Sequence, residues 1–362
     1  MKKSLVILII LFTSFNLFPA DHGIYLLTNS NIQNVYEQVI SDVVKAIENA
    51  GFRILGTRDM ATPDGVREDG ENICGFKGKL VMFSSDEYIQ MLTSFGNKYL
   101  VASFLKIGIY ETDNGIMINI ADPETINRIV FNDLDDENYE KAVSLTLPYK
   151  QNIVNALHSL GYGSNVEEAM EPKRETGELR DADRDMFMMV GPMTLFDDED
   201  QFPIIYEEED VMDVARLGIL KESMFNNIAK FQPIEDDLEY RWTIDPENDL
   251  KWQVIGEVSS PDKKALMFGL TRNRTESESF RIVGDETETN KCPGIDHLTA
   301  FPAEVLLMIN DDNKLVVQTA RQMIRMDMYF WDAGMAAFMD HMGMPGMLDE
   351  SIYRALFAKD KE

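Results

Sequence analysis

Two stretches two hundred residues apart share one pattern: Phe52-Arg53-Ile54-Leu55-Gly56 is matched by Trp252-Gln253-Val254-Ile255-Gly256. Further along, Glu111-Thr112-Asp113-Asn114-Gly115-Ile116-Met117-Ile118 is matched by Asn310-Asp311-Asp312-Asn313-Lys314-Leu315-Val316-Val317, and beyond it Ala121, Phe131 and Asp133 meet Ala320, Phe330 and Asp332. Self-similarity at a fixed offset means that one supersecondary unit is built twice. A chain of 362 residues is also too long for one typical core, so two related modules are expected.

The first module reads as mixed α and β. After the apolar stretch Ile24 to Leu27, the run Asn29-Ser30-Asn31 offers capping side chains, and Val35, Val39, Ile40, Val43, Val44 and Ile47 recur at helical spacing up to Gly51. Strands follow over Phe52 to Gly56 and Lys79 to Phe83, then a short helix capped by Ser84-Ser85-Asp86. The runs Val101 to Tyr110 and Ile116 to Ile120 flank Asp113-Asn114-Gly115, the strongest short signal for a tight hairpin. Asp122 caps a helix with Pro123 at its first position, and a further helix over Tyr139 to Leu160 meets Pro148 inside it. In the second module, Pro233, Pro246 and a hairpin signal from Tyr240 interrupt the place of the long first helix, so the packing helix is expected over Val211 to Phe231. The expected fold class is α+β, with each module an antiparallel sheet carrying helices on one face. The expected division is an export signal over 1–20, a first module over 21–163, an acidic linker over 164–208 and a divergent second module over 209–362.

The first module, through Gly-Phe-Arg-Ile-Leu, Lys-Leu-Val-Met-Phe, the Asp-Asn-Gly hairpin and Ala121-Asp122-Pro123-Glu124, resembles the domain-of-unknown-function 302 family of small bacterial α/β domains. The second resembles it more faintly, in Phe301-Pro302-Ala303-Glu304-Val305 before a hairpin. The resemblance implies an antiparallel sheet with helices on one face and a tendency of such domains to pair, which a tandem satisfies within one chain. Family members often carry a Leu-Pro-Cys stretch where this chain has Ser103-Phe104-Leu105 and Pro302-Ala303, so no role of that cysteine transfers. The family brings no established activity.

Met1-Lys2-Lys3, an apolar run from Leu5 to Phe18 and Pro19-Ala20-Asp21 form the three parts of an export signal, so a periplasmic or secreted, or N-terminally anchored, protein is expected. After removal of the signal no membrane span is expected. The formal charge of −29 repels phosphate backbones and anionic lipid, which excludes nucleic acid as a partner and favours cationic partners or metal ions. The two cysteines, Cys74 and Cys292, fall in different modules, form neither a CxxC motif nor a zinc site, and leave open whether they pair.

Chemistry-bearing motifs are few. His22, His158, His297 and His341 are isolated, and no Gly-x-Ser-x-Gly elbow, His-Glu-x-x-His helix or phosphate loop occurs. Asp296-His297 near Cys292 is the one His, Asp and Cys grouping, and Asp181-x-Asp183-x-Asp185 lacks the glycine and bidentate acid of a calcium loop. Methionine is enriched, with 22 residues, clustered at 186–193 and again from Met323 to Met347. Met339, His341, Met342, Met344 and Met347 gather soft donors that suit Cu(I) or Ag(I); equally, methionines at helical spacing are adaptable core filler. Only the loop after His341 escapes the helical explanation. Tyr329 to Gly334 reads as a helix packing against something bulky or as an aromatic ligand shelf. The expectation is an acidic envelope module that binds an unidentified protein or small molecule without catalysing a reaction, with no cofactor; the alternative is a copper- or silver-handling protein using the methionine-rich segment.

Overall fold

The computed structural model describes residues 22–66, 73–180, 201–211, 213–233, 246–283 and 291–359. The expected export signal, the early methionine cluster, the aspartate triplet from Asp181 and the expected hairpin near Tyr240 lie outside them.

The first sheet is antiparallel and six-stranded. It contains β1 (His22–Ile32), β2 (Arg53–Asp59), β3 (Gly78–Ser84), β4 (Leu105–Thr112), β5 (Gly115–Ala121) and β6 (Ser164–Arg174), in the order β2-β3-β4-β5-β1-β6. Helices α1 (Tyr36–Asn49), α2 (Asp86–Thr93), α3 (Pro123–Val130) and α4 (Asp136–His158) belong to it, followed by a short α5 (Thr176–Arg180). The local signals act where expected. Ser85 Oγ accepts the Tyr88 N–H at 3.1 Å to start α2, and Asp122 Oδ1 accepts the Glu124 N–H at 2.9 Å to start α3. Gly115, at φ +112°, closes the β4–β5 hairpin. Helix α4 runs through Pro148 without breaking.

Two expectations are corrected. Asn29, Ser30 and Asn31 do not cap α1: β1 continues to Ile32, with Thr28 and Asn29 fully buried, because β5 and β6 pair with it on both sides. The segment 164–208 contributes a strand at each end. Ser164–Arg174 is the edge strand β6, and Ile204–Glu208 is the edge strand β7 of the second sheet. Edge position explains the mismatch, since an edge strand tolerates charged side chains and lacks an apolar stripe.

The second sheet reads β7-β11-β10-β9-β8, with β8 (Gln253–Ser259), β9 (Ala265–Thr271), β10 (Ala303–Ile309) and β11 (Leu315–Thr319). Read from its far end, β8-β9-β10-β11-β7 reproduces β2-β3-β4-β5-β1 of the first sheet. The helices correspond too: α6 (Ala215–Lys230), within the expected 211–231 segment, stands for α1, α7 (Asn273–Ile282) for α2 and α8 (Gln322–Phe330) for α3. A short α9 (Gly334–Asp340) leads into α10 (Met344–Phe357), which stands for α4. The 3-10 turns Asn97–Ala102 and Ile295–Ala300 also correspond.

Burial of both sheet faces explains the continuous apolar runs. Leu266, Phe268, Leu270, Val305 and Leu307 point outward onto Leu217, Leu220, Met224 and Ile228 of α6 and Ile352 and Leu356 of α10, whereas Met267 and Leu306 point inward into the core shared with module one. The inner faces meet through exchanged 3-10 turns. Leu298 of module two sits against Gly78 and Gly108, where a Cβ on Gly78 would lie 2.8 Å from its methyl. The edge strands touch at the two repeat glycines: a Cβ on Gly56 would meet Ile255, and one on Gly256 would meet Met82. A β-bulge falls at this point in both copies, between Ile54 and Gly56 and between Ile255 and Glu257.

Polar links cross the same interface. Arg58 Nε donates to Glu276 at 2.5 Å, Glu276 also accepts the Ala61 N–H at 2.9 Å, and Arg174 at the end of β6 lies over the Trp331 ring at 5.6 Å. Cys74 and Cys292, 2% and 3% exposed, form a disulfide joining the modules.

Candidate functional site

Module two contains a small cleft, partly open to solvent, between α7, α8 and the start of α10. Its walls are mainly apolar, from Ile282, Phe301, Met326, Phe330, Met344 and Leu348, with Thr275, Ser279, Gln322 and Arg325 supplying the polar groups. The repeat explains why space exists here. Helices α2 and α7 begin at equivalent points after β3 and β9, which sets Tyr88 and Leu92 of module one against Thr275 and Ser279 of module two. Tyr88 and Leu92 are buried and fill module one; their counterparts are a ring and a branched chain smaller. The aromatic shelf expected from Tyr329 to Gly334 reduces to Phe330, which lines the cleft from the end of α8.

Arg325 lies at the cleft and is already committed. It pairs with Glu304, and its Nη2 donates to the Pro302 carbonyl at 3.0 Å and to that of Ala300. Glu304 in turn accepts from Lys106 Nζ of module one at 3.1 Å. Burial pushes the Glu304 carboxyl up, but Arg325 and Lys106 outweigh it and hold the group below the usual carboxylate range. Lys106 of β4 and Glu304 of β10 occupy equivalent positions in the two repeats, on the faces that meet.

His297 is a further buried titratable group at the interface. Its Nδ1 lies 2.8 Å from Asp296 Oδ1 and its Nε2 3.2 Å from Asp332 Oδ1, its ring stacks on Phe330 at 5.4 Å, and Tyr25 of module one meets it edge-on at 4.9 Å. Burial pulls the imidazole down, but the two carboxylates prevail and raise it to about 9, so it is a cation at neutral pH. Module one repeats the frame with other residues: Tyr99 donates to Asp133 at 2.8 Å, its ring lies 4.8 Å from Phe131, and Lys98 pairs with the same aspartate. The Asp296-His297 grouping is thus a clamp within the repeat, and Cys292 is bound in the disulfide rather than free.

The methionine-rich donors are spread over different surroundings. Met339, 49% exposed, sits on α9; His341 follows it in a turn, with Nδ1 2.6 Å from the Ala337 carbonyl. Met342 packs half-buried on the core, Met344 is buried in the cleft wall, and Met347 is half-buried on α10. The expected loop is corrected to a three-residue turn, because Met344, Pro345, Gly346 and Met347 form the first turn of α10, where proline is well suited. Among the described residues no group of three or more His, Cys, Asp or Glu is placed to hold a metal ion. Thr275, Ser279, Phe301 and Arg325 were not legible as a site from the sequence; the usable signal is the small residues at the buried positions of α7 once it is aligned with α2.

No family model matches the chain, and a search of curated proteins finds no match. Among solved structures, the chain is similar to an uncharacterized conserved protein DUF302 from Bacillus stearothermophilus, at 9% identity and a TM-score of 0.30, over 37% of this chain and 96% of that one. Among the described residues no helix is long and apolar enough to cross a membrane.

Proposed function

We propose that the chain is an exported, non-enzymatic binding module in which module one is the scaffold and module two holds a small ligand in the cleft between α7, α8 and α10. The observation that carries this reading is the opening of that cleft where Thr275 and Ser279 replace a buried tyrosine and leucine of the other repeat. A mostly apolar concavity with a few polar groups is the common form of a small-molecule site. The disulfide between modules suits an oxidising compartment and supports the export reading. Two acids are raised by burial, Asp122 against the pull of Lys150 and Glu278 against that of Arg274, yet neither lines the cleft and each is tied to its cation. Such pairs support the fold rather than general acid or base work.

The test is a fragment screen on the mature protein read by methionine-methyl NMR. Binding fragments are expected to shift Met326 and Met344 together; a library that moves neither signal overturns the reading. The Cu(I) or Ag(I) alternative rests on Met339, which is exposed and two residues from His341. Anaerobic Cu(I) titration decides it, because equal affinity in wild type and a Met339→Ala/His341→Ala variant removes the methionine segment as a metal site.

A further inference from the structure

The repeat also indicates what fills the cleft, an argument that rests on the binding role proposed above. In module one, the Tyr88 ring is buried between α3 and α4, meets Tyr149 edge-on at 4.9 Å, and exchanges hydrogen bonds with Asn127 at about 3 Å. In module two, Thr275 takes its place and Met326 takes the place of Asn127, so one aromatic ring and its hydroxyl are missing from a site that is otherwise walled. The charge around the site selects further. Arg325 is engaged by Glu304 and two carbonyls, leaving no uncommitted cation among the cleft's lining residues for a carboxylate, and the chain's net charge of −29 repels anions. Thr275 Oγ1 accepts from Arg272 Nε at 2.9 Å, which leaves its own proton to donate, and Ser279 adds a second hydroxyl. Met326 and Met344 form walls that repack around a guest more readily than branched side chains.

We infer that the cleft takes a neutral monocyclic phenol, a free counterpart of the tyrosine side chain that module one builds into the same position. Two of the C-terminal methionines, Met326 and Met344, then acquire a role as the adaptable wall of this site.

The probe is p-cresol, titrated calorimetrically into the full mature chain, with toluene and benzoate as controls and nuclear Overhauser contacts to the Met326 and Met344 methyls locating it. Toluene, lacking the hydroxyl, is expected to bind about fivefold more weakly, the worth of one hydrogen bond, and benzoate not to bind. Ser279→Leu and Thr275→Tyr, which restore the residues of module one, are expected to weaken p-cresol at least tenfold without lowering the melting temperature. If either variant fails to fold, the Overhauser contacts in the wild type carry the test alone. Binding that survives both fillings, or that shows no contact to the two methyls, overturns the proposal. Failure of p-cresol while other fragments shift Met326 and Met344 overturns the ligand class and leaves the binding role standing; failure of every fragment overturns both.

Discussion

Raising the pH from 6 to 10 removes the proton that His297 holds between Asp296 and Asp332. In the unfolded chain this imidazole has its ordinary value of 6.5, and in the folded protein it rises to about 9. A folded value above the unfolded one means that the stabilisation is complete below about pH 6.5, declines as the pH rises, and is lost beyond about 9. At about 1.4 kcal/mol per pH unit the gap corresponds to roughly 3 kcal/mol. Asp296 keeps 38% of its side chain in water, which screens its share, so about 2 to 3 kcal/mol is expected. Tyr25, the hydroxyl-bearing group against the ring, is raised well above its ordinary value by burial and stays protonated throughout. The assay is urea unfolding at pH 6, 7.5 and 9 for wild type and His297→Gln, whose difference cancels all other titrations. Parallel loss of stability in the two proteins across that window refutes the reasoning. The repeat supplies a sharper variant: Asp296→Lys/His297→Tyr transplants Lys98 and Tyr99 into module two and is expected to fold with the pH dependence removed.

Replacing both cysteines by serine is expected to cost about 2 to 5 kcal/mol, read as a lower urea midpoint, since the bridge closes a long loop across the modules; an unchanged midpoint, or a purified protein whose mass does not change on reduction, counts against the bridge. Glu304→Leu leaves Lys106 and Arg325 buried without their shared carboxylate and is expected to cost about 3 to 5 kcal/mol. A loss under half a kcal/mol would mean that the interface network is solvated. The cleft itself is expected to gain stability on filling: Ser279→Leu raises stability by about 0.5 to 2 kcal/mol in urea unfolding, and a loss would count against a dry, apolar space there.

Much of the architecture was readable because the repeat carries it in local signals. Gly56 and Gly256 sit at or beside the bulge of their edge strands, Asn114-Gly115 closes the hairpin, and Ser85 and Asp122 sit where their helices begin. Strand β6 was not readable, because Ser164 to Arg174 is largely solvent-exposed, alternates weakly, and owes its conformation to β1 alongside it. The His297–Asp332 contact joins residues 35 apart, although the sequence did align Asp332 with Asp133, the partner of Tyr99. The cleft escaped for a different reason. It consists of side chains that are absent, and an absence acquires meaning only when Thr275 and Ser279 are set against Tyr88 and Leu92. The methionines fall into different surroundings that their number does not separate: Met344 belongs to a packed wall while Met339 faces solvent.

Lys106 and Glu304 bear on how far this protein can assemble. A tandem whose halves could each pair with their own kind would link chain to chain, first half to first half and second to second, in a filament with no natural end. At the equivalent strand position such contacts would set lysine against lysine with no acid between them, and glutamate against glutamate with only each half's own Arg325 to offset the charge. Only unlike halves satisfy both charges, and the nearest unlike half is always the one at the other end of the same polypeptide. The opposed signs therefore disfavour the pairing of like halves, through one residue of each repeat.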